Sequence, residues 1–275
     1  MQDGPLFFTT SILPVRESLV LRGGSGQTLP LQVRVGYFHH PTFGPTLIDT
    51  GYWAALGKKP NLYLRFYSWL LKPSVLSAEP LSDGLAPLGR CKQDIQTVIL
   101  THFHADHIGG LADLPQARIL TSRQAWDAVQ NRGAIRNALA GVFPSLLPTD
   151  FQRRLVFFED AAVVQAPLGL GPAWDIAGDG TVLIVDLPGH HDGHVGVCFA
   201  KLAQPLLYAT DVQWLLQAVL EDRCPGFPAS LTLHDRKAAA ASVAKVRAFA
   251  QMGGQVVLCH DPHPSPFDVP AKGAA

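Results

Sequence analysis

The most informative part of the sequence is the stretch THFHADHIGG, residues 101–110. It follows an apolar strand predicted over 97–101 and concentrates three histidines and one aspartate in six residues. Imidazole nitrogens and carboxylate oxygens are the ligands of Zn²⁺ and related ions. In extended chain, positions i and i+2 point the same way, so His102 and His104 can hold one ion. If the chain then turns into a helix at Gly109-Gly110, Asp106 and His107 face a second ion.

Three other apolar runs end on residues of the same chemical type. The run Val182–Val185 leads through DLPG into His190, Leu206–Thr210 leads into Asp211, and Val256–Cys259 leads into His260. Strand ends of layered α/β proteins are where binding sites collect. Four strand ends that carry ligand-type residues therefore predict a site for two metals rather than a polar surface loop.

Composition narrows the class of protein. The chain has 275 residues, 22 basic and 22 acidic side chains, and a formal net charge of zero. Balanced charge disfavours non-specific electrostatic binding to nucleic acid, because such binding needs an excess of basic residues. The four cysteines show no CxxC spacing, and we find neither a signal-peptide pattern nor an apolar run of membrane-spanning length. The expectation is a cytoplasmic protein with free thiols.

Secondary structure is expected to alternate between strands and helices in a single domain, residues 1–275. Gly and Pro punctuation and apolar periodicity predict the following elements. Strands are expected at Leu19–Leu21, Leu29–Val35, Thr46–Asp49, Thr97–Thr101, Thr181–Leu187, Val195–Ala200, Leu206–Thr210 and Gln255–Cys259, helices at 61–72, Arg123–Asn131 and Arg236–Met252, and a loop at 73–93. This order predicts mixed α/β layers.

Several segments together resemble the metallo-β-lactamase superfamily. THFHADHIGG matches its HxHxDH signature, LPGHHDGH at 187–194 is similar to its PGHTxGH segment, and ATD at 209–211 to its bridging-aspartate strand. LCHD at 258–261 is similar to the segment that carries the family's last histidine. LIDTG at 47–51 is similar to the hxDTG sequence at the end of an early strand in the family. The matches follow the family's order over most of the chain. The resemblance implies an αββα sandwich with metals at one edge of the paired sheets.

The same resemblance implies a role for each ligand-type residue. His102, His104 and His190 would hold a first metal, Asp106, His107 and His260 a second, and Asp211 would bridge the two. Zn²⁺ is the expected ion, with Mn, Fe and Co as alternatives. The implied reaction is hydrolysis by a hydroxide held between two cations, with Asp106 passing a proton to the departing oxygen.

The order of motifs is most similar to the acyl-homoserine-lactone lactonase branch. The sequence departs from that branch at two positions: Trp214 replaces a tyrosine, and Ala105 replaces a frequent phenylalanine. Trp214 would either donate a hydrogen bond to the substrate or form a wall of the pocket. The expected substrate is a small lactone or ester with an apolar part. A homodimer is compatible with the sequence.

Other interpretations stay open at this point. A thioester or phosphotriester hydrolase, a di-iron oxidoreductase, a nuclease and a β-lactamase could each use such a site. His191 or His194 could replace His190 as a ligand, although His194 is the better candidate for a core residue. Asp49 either orients a ligand or only shapes a turn. The aromatic segment 61–71 is assigned to the core, with a lid or groove wall as the alternative.

Overall fold

Two facing β-sheets form the centre of the computed structural model, which describes residues 4–52 and 62–270. The first sheet has seven strands in the order β4-β1-β2-β3-β5-β6-β7. These strands are β1 (Leu6–Arg16), β2 (Thr28–His40), β3 (Gly44–Ile48), β4 (Ser74–Val75), β5 (Thr97–Ile99), β6 (Arg118–Thr121) and β7 (Leu155–Phe157). The parallel pairs β3–β5 and β5–β6 bring the carboxyl ends of these strands to one edge of the sheet.

The second sheet has six strands in the order β13-β12-β11-β10-β9-β8. These strands are β8 (Ala162–Ala166), β9 (Gly171–Asp175), β10 (Val182–Asp186), β11 (Val195–Phe199), β12 (Leu206–Thr210) and β13 (Gln255–Leu258). Its inner face contacts the first sheet through aromatic pairs: Phe38 lies 5.2 Å from Phe199, and Phe7 lies 4.7 Å from Tyr208, between ring centroids. The two sheets therefore share one core.

Eight α-helices in the described residues surround the two sheets. They are α1 (Glu17–Val20), α2 (Leu62–Leu71), α3 (Pro80–Leu85), α4 (Ala105–Ile108), α5 (Arg123–Asn131), α6 (Ala134–Leu139), α7 (Leu216–Leu220) and α8 (Arg236–Gln251). Asp235 caps α8 by accepting hydrogen bonds from two backbone amides of its first turn. Val243, Val246 and Phe249 of α8 form a second core with the outer face of the second sheet. The layers are those of the predicted αββα sandwich.

Some local predictions are wrong. Leu19–Leu21 was expected to be a strand, but α1 covers most of it and buries Val20, because a single helical turn is enough to place that side chain inside. The expected loop 73–93 contains α3, whose Leu81 and Leu85 are buried. The long strand β1 carries no strong period-two pattern and was not predicted. In the predicted helix 61–72, residue 61 lies outside the described residues.

The guanidinium of Arg34 ties the C-terminal segment of the described chain to the first sheet. Arg34 is 1% exposed, and its Nε and Nη2 donate to the two carboxylate oxygens of Asp268 at 2.8 and 2.9 Å. Its nitrogens also donate to three backbone carbonyls, those of Leu258, Asp261 and His263, at 2.7–3.1 Å. These carbonyls flank His260, so Arg34 fixes the turn that carries this histidine.

Arg34→Ala is expected to lower the free energy of unfolding by about 3–5 kcal/mol, since it leaves a carboxylate and three carbonyls without their buried donor. Urea unfolding of the metal-free protein measures this loss. Arg123→Ala is the matched control: the Arg123–Asp160 pair is about half exposed and should contribute at most about 1 kcal/mol. Equal losses in the two variants would contradict the proposed importance of Arg34.

Candidate metal centre

The strand ends named from the sequence do meet at one edge of the paired sheets. His102 and His104 follow β5 in extended chain, and α4 begins directly after them at Ala105. The helix thus starts earlier than the expected Gly109-Gly110. This start turns Asp106 and His107 into the site. Thr210, at the end of β12, has φ 48°, a conformation rare for a β-branched residue, and the chain bends there into Asp211.

Three imidazoles and one carboxylate form a first group of converging atoms. Nδ1 of His104 lies 3.0 Å from Nε2 of His102 and 3.0 Å from Nε2 of His190. Oδ2 of Asp211 lies 3.4 Å from Nε2 of His190 and 3.9 Å from Nε2 of His102. All four ligand atoms lie within 4.8 Å of one another.

A second group is built around the same carboxylate. Oδ2 of Asp211 lies 3.0 Å from Nε2 of His260 and 3.5 Å from Nε2 of His107. Oδ2 of Asp106 lies 3.4 Å from His260 Nε2 and 3.7 Å from His107 Nε2. Asp211 is the member that both groups share.

The chemistry of this cluster fits metal ions better than internal hydrogen bonding. Ligand atoms of tetrahedral zinc, at about 2.0–2.1 Å from the metal, lie roughly 3.3 Å apart. The observed separations of 3.0–3.9 Å are close to this value. Among the described residues, His107 Nε2 and Asp211 Oδ1 are buried without a hydrogen-bond partner. Such atoms are costly unless something satisfies them, and a cation would do so.

Electrostatics puts the first group in the protonation state that binds metals. Burial lowers the pKa of His102, His104 and His190 well below the ordinary histidine value, so their imidazoles are neutral. Burial opposes ionisation of Asp211 as well, but the imidazoles of His260 and His107 outweigh it and lower the pKa of Asp211. Neutral imidazole and ionised carboxylate are the forms that coordinate divalent ions.

Asp49 orients His107. Its Oδ2 accepts a hydrogen bond from Nδ1 of His107 at 2.7 Å, and its two oxygens accept from the backbone amide and hydroxyl of Thr101 at 2.9 and 2.8 Å. Burial opposes protonation of His107, but the carboxylates of Asp49, Asp211 and Asp106 outweigh it and raise the pKa of this ring, so a metal ion would displace its Nε2 proton while Nδ1–H stays bound to Asp49. Of the two roles left open for Asp49, the structure supports the orienting one. His260 is oriented similarly, since its Nδ1 donates to the carbonyl of Gln32 at 2.7 Å.

Asp49→Asn is expected to weaken metal binding by about 10–100-fold, because such a partner fixes the tautomer and basicity of a ligating histidine. Titration of the metal-free protein with Zn²⁺ against a competing chelator measures the affinity. Asp179→Asn is the matched control: Asp179 also contacts a histidine, His40, at 3.1 Å, away from the cluster, and its loss should leave zinc affinity unchanged. The same affinity in all three proteins would contradict the role of Asp49.

His194 and His191 occupy different positions from the cluster nitrogens. Nδ1 of His194 donates to the carbonyl of Leu187 at 2.7 Å, and its Nε2 lies 2.6 Å from the hydroxyl of Thr210, as suits a core histidine that supports the Asp211 turn. His191 lies beside the first group, 4.9 Å from His104 between ring centroids, but its Nδ1 faces the carbonyl of Asp192. Neither His191 nor His194 therefore belongs to the two groups of converging ligand atoms, whereas His190 does.

Two further residues near the site have distinct environments. The thiol of Cys259 lies within 4.8 Å of the ligand atoms of His107, Asp211 and His260, and burial raises its pKa in the metal-free protein. Trp214 is half-buried against the main core, just before α7. Sequence reasoning missed Arg34, because its contacts span more than 200 residues of chain.

The chain belongs to the metallo-β-lactamase superfamily, whose family model matches residues 30–259. The expected family and fold are therefore confirmed. An N-acyl homoserine lactonase, AttM, of Azorhizobium caulinodans is 27% identical over 93% of this chain and 92% of its own length. A probable metallo-hydrolase of Mycobacterium tuberculosis is 32% identical over 56% of this chain. The chain spans only about half (48%) of the length of that relative.

Solved structures with this fold include lactonases. The structure of Bacillus thuringiensis AiiA with N-decanoyl-L-homoserine bound at its active site has a TM-score of 0.68 and 17% identity, over 94% of this chain and 92% of that one. AidC, described as a dizinc quorum-quenching lactonase, has a TM-score of 0.61 and 18% identity, over 95% and 86% of the two chains. At this identity the likeness shows the shared fold.

Proposed function

We propose that this protein is a hydrolase that uses two divalent metal ions to open a lactone or ester. The observation that carries the proposal is the shared carboxylate of Asp211, which belongs to two groups of converging ligand atoms. Similarity to AttM along nearly the whole chain supports the lactone as substrate.

The proposed ligands are those named from the sequence. His102, His104 and His190 hold the first ion, Asp106, His107 and His260 the second, and Asp211 both. The imidazole and carboxylate donors suit Zn²⁺, with Mn, Fe and Co as alternatives. The ligand set and the dizinc lactonase of the same fold support zinc.

When bound, the two cations supply Lewis acidity, which lowers the pKa of a water molecule toward neutrality and polarises the carbonyl under attack. The chain's own residues supply orientation and proton transfer. Asp106 lies at the entrance of α4 and is 6% exposed, so its carboxylate meets few waters. We assign to its carboxylate the proton that the attacking water gives up, and the transfer of that proton to the departing alkoxide oxygen. Asp49 and the carbonyl of Gln32 hold the rings of His107 and His260 in fixed orientations during this step.

The proposed substrate is a small molecule with an apolar part, for which an acyl-homoserine lactone is the first candidate. Trp214 is proposed to form a wall of the pocket, because its indole has a large apolar body and the two cations can stabilise the oxyanion without it. The cytoplasmic location, the absence of nucleic-acid binding and the homodimer remain predictions. No helix in residues 4–52 and 62–270 is long and apolar enough to cross a membrane.

Metal analysis followed by a substrate panel tests the proposal. Protein produced with ample zinc should contain two ions per chain and hydrolyse hexanoyl-homoserine lactone faster than a thioester or a phosphotriester. One ion or none would overturn the two-metal site. Two ions with preference for the phosphotriester would leave the metal site standing and overturn the lactone. Oxygen consumption by an iron-loaded form would instead favour the oxidoreductase.

A further inference from the structure

Two tyrosines border the metal cluster and are hydrogen-bonded to each other. The hydroxyl of Tyr52 lies 3.2 Å from the hydroxyl of Tyr67. Tyr52 follows β3 and is 1% exposed, whereas Tyr67 lies on α2 and is half-buried. Tyr67 is thus the member of the pair that lies nearer to solvent. Neither hydroxyl has a role in the function proposed above.

The segment around Gly141 places Tyr67 next to the metal ligands. Val142 forms a β-bridge with His104, and the carbonyl of Gly141 accepts a hydrogen bond from the amide of Ala105 at 3.2 Å. A side-chain carbon built on Gly141 would lie 3.1 Å from Cδ2 of His104 and 3.7 Å from Cε2 of Tyr67. The edges of both rings therefore border the same small space, which only a glycine leaves open at φ 72°.

The packing of Tyr67 holds its ring in this position. Its ring meets Phe143 edge-on, with centroids 5.1 Å apart, and Phe143 is itself 2% exposed. The ordinary pKa of a tyrosine phenol is about 10, and burial of Tyr67 raises its pKa further, so the phenol is protonated across the physiological range. A protonated phenol is a hydrogen-bond donor.

The direction of the Tyr52–Tyr67 hydrogen bond follows from burial. Tyr52 is enclosed, so its hydroxyl proton is best satisfied by donation to the oxygen of Tyr67. Tyr67 then accepts that bond and keeps its own proton for another partner.

We infer that the hydroxyl of Tyr67 donates a hydrogen bond to the carbonyl oxygen of the substrate. This inference rests on the proposed lactone or ester hydrolysis. The sequence carries tryptophan at 214, and a phenol from α2 would supply the donor that an indole wall does not. Tyr52 acts as a positioning residue, since it contacts Tyr67 and orients its hydroxyl.

The test compares Tyr67→Phe with two other tyrosine variants in the zinc-loaded protein. Tyr67→Phe should lower kcat for hexanoyl-homoserine lactone by about 10²-fold, as for loss of one oxyanion donor, and raise KM by about three- to tenfold, with zinc content unchanged. Calorimetry should show affinity for the hydrolysis-resistant lactam analogue weakened by about three- to tenfold. Tyr52→Phe removes the same Tyr–Tyr bond but keeps the Tyr67 hydroxyl, so its losses should be smaller.

Tyr63→Phe is the matched control, because Tyr63 lies on the same helix and is 46% exposed. It should behave as wild type in both measurements. If the wild type hydrolyses the lactone and Tyr67→Phe matches Tyr63→Phe in kcat and lactam affinity, the inference is overturned and the proposed function stands. If Tyr52→Phe loses as much kcat and lactam affinity as Tyr67→Phe, both tyrosines act only through packing and the donor role of Tyr67 is overturned. A wild type that opens neither lactones nor esters overturns the proposed function, and the donor role with it.

Discussion

Asp211→Ala is expected to lose at least one of two zinc ions and to lower kcat/KM by at least about 10³-fold. Asp211 is the shared member of both ligand groups, and its Oδ2 lies between 3.0 and 3.9 Å from ring nitrogens of four histidines. Its removal takes one donor from each site and leaves these rings facing an empty volume. Elemental mass spectrometry gives the zinc content per chain, and a lactone assay of the same preparation gives kcat/KM.

Asp186→Ala is the control for this experiment. Asp186 also ends a strand of the second sheet, but its side chain is exposed and the cluster does not include it. It should keep two zinc ions and full turnover. Retention of two tightly bound ions by Asp211→Ala would exclude the bridging role, whatever its activity.

Asp106→Asn is expected to lower kcat for a lactone by about 10²–10⁴-fold, the range for loss of a positioned proton donor. The structure suggests a sharper test than the size of the loss, because Asp106 is assigned to the leaving oxygen. A lactone expels a basic alkoxide that needs the proton, whereas a p-nitrophenyl ester expels a stable phenolate that does not. The loss per bound zinc should therefore be much larger for the lactone.

Asp113→Asn serves as the comparison, since Asp113 lies one turn beyond the motif and pairs with Lys92 at 3.4 Å. It should leave both substrates unaffected. Equal losses for the lactone and the nitrophenyl ester in Asp106→Asn would show that Asp106 acts only as a ligand. They would remove the proton transfer from the mechanism.

The ligand positions could be predicted because each follows an apolar strand in the sequence. His102 and Asp211 are read from local patterns, and strand ends of layered folds meet at one edge. The supporting contacts could not be predicted in the same way. Asp49 meets His107 only after β3 and β5 pair in parallel, and nothing local distinguishes a turn aspartate from an orienting one.

Helix α2 shows the limit of composition as evidence. Its aromatic residues were assigned to the core, yet Phe66 and Trp69 are 62% and 67% exposed, and Leu64 is its buried side chain. The assignment is wrong for these two rings, because apolar residues occur on every side of this helix and periodicity then cannot select an inward face, whereas Tyr67 does pack against the core. Whether the exposed residues form a lid or groove wall stays a prediction.

The contacts of Arg34 also set an order of events during synthesis. The ribosome completes β1 and β2 long before the acceptors of Arg34 exist, since Asp268 follows it by 234 residues. The residues proposed to hold the first ion have all been made once Asp211 is added to the chain, whereas His260 and its anchored turn come last. On the proposed two-ion site, a growing chain would therefore complete the first set of ligands while the second set still lacks His260, and the second set would be complete only when the C-terminal segment has folded back onto the first sheet.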